Sequence, residues 1–296
     1  MPAQKHLKPW RFIIPGIVLG VSILGYPVYR ALYYSLHQIR LYRLGQEVFI
    51  GLENYLRLFQ DPLFLLSVRT TIYFTVGNTI LCLVLGLFIS SILSSRGISG
   101  TGTARFLMAF YLIPFVMTQV VTGVMGRLYV WQSEYGLVNF LLGIIGIEGT
   151  GWLINQETAL LVTTLTNAWR ITPLGLLIFY AALATIPGEL VESAEVDGAS
   201  PWTIWLRIKL PMIKYHIGFV SLVILTSAFR EFDLVYGLTR GGPGRATSVM
   251  SIMVYNQGVS SGNMGMANAI SFSMFVVVAI LAVFYVKVAK LGEMRD

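Results

Sequence analysis

Four charged side chains stand inside otherwise apolar stretches of this chain: Arg170, Arg230, Glu231 and Asp233. Charge at membrane depth is costly, so such groups pair with each other or line a polar cavity. The favoured reading is a pair, Arg170 with Asp233 or Glu231. The sharper reading is a path for a polar solute. Around them stand Asn167, Trp169, Phe229, Phe232, Tyr236, Asn268, Ser271 and Ser273. Hydrogen-bonding groups beside aromatic faces are the chemistry that holds sugars. The candidate path is therefore Asn167, Trp169, Arg170, Phe229, Phe232, Asp233, Tyr236, Asn268 and Ser271. Aromatics on membrane helices also serve as interfacial anchors, which is the plainer role for each.

A second polar stretch, ELVESAEVDGASPWTIWLRIKLP, runs from Glu189 to Pro211 between apolar runs. Pro187 suits the start of a short helix. Gly198 permits a turn, since glycine takes positive φ without steric cost. Ser200 is a good N-cap with Pro201 at the first helical position, and Pro211 is expected to end this second helix and open the next. Two short helices at a fixed angle suit transmission of force from a partner. A re-entry loop with ordinary caps explains the same residues equally well.

Catalytic constellations are missing. There is no G-x-x-x-x-G-K-[ST] phosphate loop, no H-E-x-x-H and no G-x-S-x-G. Ser271 and Ser273 have no histidine in their helix to activate them. The single cysteine, Cys82, excludes an intrachain disulfide and suits packing. His6, His37 and His216 are far apart, so no metal site is expected.

The elements that must position these groups are long and apolar. The chain is 55% hydrophobic and 12% charged, where a soluble domain carries about 25% charged residues. Uncharged runs of 18, 26, 21 and 41 residues follow Arg11, Arg69, Arg105 and Arg245. About 18 apolar residues suffice to cross the hydrocarbon as a helix. The expected fold is all-α, an integral membrane protein with six helices at about 12–36, 67–94, 105–131, 158–185, 212–236 and 265–289. One transmembrane domain covers 1–296, and 186–211 is a loop. The first run follows Lys5, Lys8 and Arg11 without a small-residue cleavage site, and is expected to be a retained helix. One side of the membrane collects Lys5, Lys8, Arg11, Arg96, Arg105, Arg207, Lys209, Lys214, Lys287, Lys290 and Arg295; the other collects Arg40, Arg43, Arg57, Arg240 and Arg245. Positive charge stays in the cytoplasm, so both termini and the 186–211 loop are expected there. On the outside, Phe49 to Pro62 is expected to form a short amphipathic helix, and TRGGPGRATS a turn-rich segment. At about 1.5 Å per residue, Arg170 and Arg230 lie roughly 25–28 Å from the inner surface.

Glu192-Ser193-Ala194, Asp197-Gly198-Ala199 and Ile208-x-Leu210-Pro211 resemble the E-A-A-x-x-D-G-A … I-x-L-P coupling loop of bacterial ATP-binding-cassette importer permeases. Ser193 stands where that family usually has alanine. FIGLENY (Phe49 to Tyr55), YLIP (Tyr111 to Pro114), EYGLVN (Glu134 to Asn139), WRITP (Trp169 to Pro173) and LTRGGPG (Leu238 to Gly244) follow the order of the carbohydrate-uptake members. The resemblance covers nearly the whole chain and is to the maltose-permease (MalF) type, in a short form without the large inserted outside domain. Gly126 departs from it, standing where tryptophan is frequent, which would change the path lining there.

The resemblance implies a type I ABC importer permease fold in the bacterial inner membrane and a sugar-import subunit without enzymatic activity. Partners would be a second related permease, two ATPase subunits that bind ATP and Mg, and an extracytoplasmic binding protein. The chain itself would hold no cofactor. Glu189, Glu192, Ser193, Ala194, Asp197, Gly198, Ala199 and Pro211 would carry the coupling to the ATPases. A same-fold permease for another solute, such as a polyamine or a phosphate ester, and a stand-alone secondary transporter are the alternatives.

Overall fold

The computed structural model describes residues 10–43, 45–95, 97–98 and 100–293, with the side chains of 10–12 and 288–293 undescribed. Lys5, Lys8, Arg96 and Arg295 of the charge count, His6, and the side chains of Arg11 and Lys290 lie outside the described residues.

In chain order the helices are α1 (Trp10–Gly20), α2 (Tyr26–Ser35), α3 (Glu53–Gln60), α4 (Pro62–Leu93), α5 (Gly102–Val116), α6 (Gln119–Met125), α7 (Leu137–Ile144) and α8 (Gln156–Ala184). They continue as α9 (Gly188–Val196), α10 (Pro201–Ile204), α11 (Leu210–Met212), α12 (Lys214–Phe229), α13 (Asp233–Leu238), α14 (Met250–Tyr255) and α15 (Met264–Glu293). Short π-helical stretches join α1 to α2, extend α6 and α14, and join α10 to α11. Ile13–Ser35, Pro62–Leu93 and Met264–Lys287 are each long and apolar enough to cross a membrane. Three further pairs qualify only when joined across a bend: α5 with the α6 segment at 95°, α8 with α9 at 71°, and the α10–α11 segment with α12 at 69°. The described residues thus hold three spans, or up to six if each bent pair is one.

The chain divides into two compact units. The first takes residues up to Phe64 and Met253–Val276. In it β1 (His37–Gln38) pairs antiparallel with β2 (Val48–Phe49), His37 opposite Phe49. Asn54 on α3 donates to the carbonyls of Ser35 (2.8 Å) and His37 (3.1 Å), tying α3 to the end of α2. Gly265 packs so closely that a Cβ there would meet the His37 carbonyl oxygen at 2.3 Å. The helix expected over Phe49 to Pro62 is shorter than that. Phe49 belongs to β2, and Gly51, at φ 59°, turns the chain before α3 starts at Glu53.

The second unit takes Leu65–Ile252 and the residues from Val277 onward. Its centre is α8, more than half of whose residues are buried. Cys82, Ala168, Ile171, Phe179, Val220 and Ile224 pack α4, α8 and α12 together. A second cluster of Phe74, Ala228, Val235, Val249 and Ile252 joins α4, α12, α13 and α14.

Two single helices of the sequence expectation are broken. The one expected over 105–131 stops at Val116, and Met117 and Thr118 are extended before α6 begins. Pro114 lies in the last turn of α5, where its missing N–H removes a backbone bond. The helix expected over 212–236 stops at Phe229, and α13 restarts at Asp233. Pro211 does not open that helix either: it sits within α11, and the chain turns at Ile213 before α12. The π-helical stretch ahead of α11 explains why proline is tolerated there, because helical bonding is already irregular.

The two restarted segments pack on each other through glycine. A Cβ on Gly123 of α6 would meet the Leu234 carbonyl oxygen at 2.5 Å, and one on Gly237 of α13 would meet the Val120 carbonyl oxygen at 2.9 Å. Small residues let membrane helices approach to backbone contact. Gly126 is buried in the same seam, its Cβ position 3.0 Å from Leu238, so it is a packing site and has no room for a tryptophan. Gly123→Val should therefore destabilise the protein by about 1–3 kcal/mol, the usual scale of overpacking. Gly143→Ala on α7, where nothing lies within 4 Å, should be neutral or slightly stabilising. Thermal unfolding of the two variants in detergent checks the contrast.

Candidate functional site

The polar segment folds as an elbow in the second unit. Pro187 is extended (φ −57°, ψ 127°) and leads into α9, which buries no residue. Val196 is 87% exposed. Gly198 follows at φ 76°. The Ala199 N–H donates to the Ala194 carbonyl at 2.9 Å and the Gly198 N–H to that of Glu195 at 3.0 Å. This pair of bonds is a Schellman closure, which needs a left-handed residue at the position Gly198 occupies. The second arm starts one residue later. Ser200 accepts the Thr203 N–H at 3.2 Å and Pro201 opens α10.

Between the arms lies a cavity of about 350 Å³, lined by Val191, Glu195, Gly198, Ala199, Pro201, Ile204 and Lys209. Glu189, Glu192, Ser193, Asp197 and Pro211 are exposed, while Ala194 and Ala199 are half-buried. Of the expected coupling residues, the elbow gathers all but Pro211, which sits at the far end of the second arm. No space restriction bars a side chain at position 198, where nothing lies within 4 Å. Only the backbone conformation does.

The buried charges form a chain of contacts. Arg170 on α8 is buried, with Nη2 3.6 Å from Glu231 Oε2. The same nitrogen donates to Asn167 Oδ1 at 3.3 Å. Asn167 Nδ2 donates to Asn78 Oδ1 at 2.9 Å, and Asn78 Nδ2 to the Phe74 carbonyl at 2.7 Å. Glu231 Oε1 accepts the Leu234 N–H at 3.0 Å in the first turn of α13, and its carbonyl accepts the Ser251 hydroxyl. Arg170 thus pairs with Glu231, and Asp233 is exposed.

The other expected path residues divide. Phe232 stacks on Tyr236, ring centroids 5.2 Å apart. Phe229 is buried, and Trp169, 47% exposed, faces away from the core that takes Asn167 and Arg170. Asn268 and Ser271 belong to the first unit, where Asn268 Nδ2 donates to the Met264 carbonyl of its own helix at 2.8 Å. Asn78 and Ser251 were not among the expected residues. Each is an uncharged polar residue in an apolar run, and such residues commonly bond to their own helix backbone.

In the second unit the apolar α4 and the other two bent helix pairs pack about α8, and the exposed elbow lies between α8 and α12. Residues 64–290 match the family of binding-protein-dependent transport system inner membrane components, and the chain belongs to that family. It is a permease subunit of such a system and a multi-pass inner membrane protein. The trehalose/maltose transport system permease protein MalF of Thermococcus litoralis is 33% identical over 279 residues, 94% of this chain and 92% of its own length. The sn-glycerol-3-phosphate transport system permease protein UgpA of Salmonella choleraesuis is 30% identical over 283 residues, 95% and 93% of the two chains. Among solved structures, the crystal structure of a bacterial alginate ABC transporter in complex with an alginate pentasaccharide-bound periplasmic protein shares the fold, with a TM-score of 0.75 at 21% identity, covering 93% of this chain and 91% of that one.

Removing one partner of a buried ion pair leaves the other charge stranded, at a cost of about 3–5 kcal/mol, whereas replacing both by apolar groups is often neutral. Arg170→Met alone should lose most of the folded protein on heating in detergent. Arg170→Met with Glu231→Leu should recover a large part of the difference. A double variant no better than the single one would show that the two charges do not depend on each other.

Proposed function

We propose that this chain forms half of the translocation path of an ATP-driven sugar importer and transmits ATPase motion through the 186–211 elbow. The observation that carries the reading is α9 itself. It buries no residue of its own chain, yet it is closed by the Gly198 turn and set off from α8 by a bend of 71°, while a bend of 69° separates the second arm from α12. A helix so well capped and so little packed suits a socket on another protein. Its exposed Glu189, Glu192, Ser193, Asp197 and Gly198, with half-buried Ala194 and Ala199, are the proposed docking set, and Pro211 supports the second arm.

In this reading the six spans run at about 12–36, 67–94, 105–131, 158–185, 212–236 and 265–289, with the arms of the elbow outside the membrane and both termini in the cytoplasm, as the excess of lysine and arginine on that side favours. A second related permease completes the path. Two ATPase subunits bind ATP and Mg, and an extracytoplasmic binding protein delivers the solute. The chain is not itself an enzyme and holds no cofactor. The path side chains are Asn167, Trp169, Arg170, Phe229, Phe232, Asp233, Tyr236, Asn268 and Ser271, of which Arg170 also braces the break before α13. Sugar is the favoured solute on the maltose-permease motifs and the sugar relatives. A phosphorylated small solute is the second reading, favoured by the glycerol-phosphate relatives and by the exposed Arg230 at the break.

Co-expression with candidate permease and ATPase partners, and purification through a tag on this chain, tests the assignment. Wild type is expected to bring down an ATPase whose hydrolysis supports uptake in vesicles. Gly198→Asp puts a charge on the elbow's outer turn, where space is open, and is expected to lower assembly or transport-linked hydrolysis at least tenfold, equivalent to about 1.4 kcal/mol of docking. Uptake of labelled maltose and trehalose against glycerol 3-phosphate separates the two solutes. Transport by the chain alone, indifferent to Gly198→Asp, would replace the importer by a secondary transporter.

A further inference from the structure

Trp205 makes contacts that the elbow's own caps do not require. Its indole N–H donates to Ser91 Oγ at 2.8 Å, joining the second arm to α4 across 114 residues of sequence. The Ser91 hydroxyl donates its own proton to the Leu87 carbonyl at 2.7 Å, so a lone pair is left to accept from the indole. Trp202 stacks on Trp205, ring centroids 5.5 Å apart and planes within 9°, while remaining 68% exposed. Ile204 beside them is buried. The second arm is therefore anchored to α4.

A load applied to α9 passes through the Schellman turn at Gly198 and the Ser200 cap into α10. The next residue is Trp205, and its bond leads into the last turns of α4. An indole is rigid, with two side-chain torsions, and its N–H can only donate. It holds Ser91 at one distance and in one direction, as a strut does.

We propose that Trp205 and Ser91 are positioning residues that lock the elbow to α4, so that the two move as one body when the ATPases close. The proposal rests on the coupling reading of the elbow. It extends that reading to a specific route, into α4 rather than only into α8 and α12, the helices continuous with the loop.

The test uses the assembled complex in lipid nanodiscs with spin labels on Ile80→Cys of α4 and Arg207→Cys of the second arm, both exposed positions. Cys82→Ser removes the native thiol while keeping a donor toward the Ala168 carbonyl. Distances are read without nucleotide and after trapping with Mg-ATP and vanadate. One distance distribution, unchanged by trapping, is expected for the parent pair. Ser91→Ala and Trp205→Phe should keep the ATPase bound but show a second, shifted distance on trapping, and Ser91→Thr should restore the single one. Ser91→Ala removes one oxygen atom only, so it decides the matter even where Trp205→Phe fails to fold. A shift in the parent pair, or variants that match the parent, would overturn the strut. Failure of any ATPase to co-purify with the parent chain would overturn the coupling reading and the strut together.

Discussion

A helix that stops within a bilayer leaves its last carbonyls and the next helix's first N–H groups away from water, and the protein must satisfy them itself. In this chain the apolar helix α12 ends at Phe229, and Glu231 supplies partners at the break. One carboxylate oxygen takes the Leu234 N–H, the other faces Arg170, and the residue's carbonyl takes the Ser251 hydroxyl. The arrangement aims α13, and the aim of α13 sets much else. It brings Gly237 against Val120, Gly123 against Leu234, and Leu238 over Gly126. It also places the stacked Phe232 and Tyr236. A carboxylate that both caps a helix and neutralises an arginine resolves two desolvation costs at one position. That accounts for an ion pair where an apolar core would be simpler.

At the elbow the solvent reverses the terms. Its first arm is exposed, so unsatisfied backbone groups there cost little and capping is not obligatory. The segment is nevertheless closed by the two turn bonds at Gly198 and by the Ser200 side chain. Each such device contributes typically about 1 kcal/mol, a small term beside the burial of α8. Their value lies in shape. They fix the angle between two arms that share few other contacts.

The long apolar runs were legible because bilayer thickness translates directly into residue count. So were the Gly198 turn and the Ser200–Pro201 start, which depend on single residues with narrow conformational preferences. The breaks were not. Pro114 marks a weak point in α5 without saying that the helix ends, and the restart at α6 is held by packing on α13 through Gly123, a contact between segments more than a hundred residues apart. Arg230 to Asp233 flagged a disturbance without saying that the helix ends. The choice of Glu231 over Asp233 as partner to Arg170 also lay beyond the sequence, since both fall within reach of an undivided helix. Once the helix breaks, the longer side chain sits before the new first turn and Asp233 turns outward.

The motif residues that mark the family most clearly are occupied by folding. Asn139 of EYGLVN donates both amide protons, to the carbonyls of Ser133 and Thr150, and its oxygen accepts from the Thr150 N–H and the Trp152 indole. An asparagine side chain offers two donors and two acceptor sites, and all four are used. Asn54 of FIGLENY likewise spends both amide protons on backbone carbonyls. Withdrawing the Asn54 pair to bind a solute would strand carbonyls of buried residues, a cost comparable to the hydrogen bonds gained, and withdrawing the Asn139 side chain would undo four bonds of its loop. These residues therefore build their own loops. A motif spent on folding carries no information about the solute, and a trehalose/maltose permease and a glycerol-3-phosphate permease are similarly related to this chain, at 33% and 30% identity.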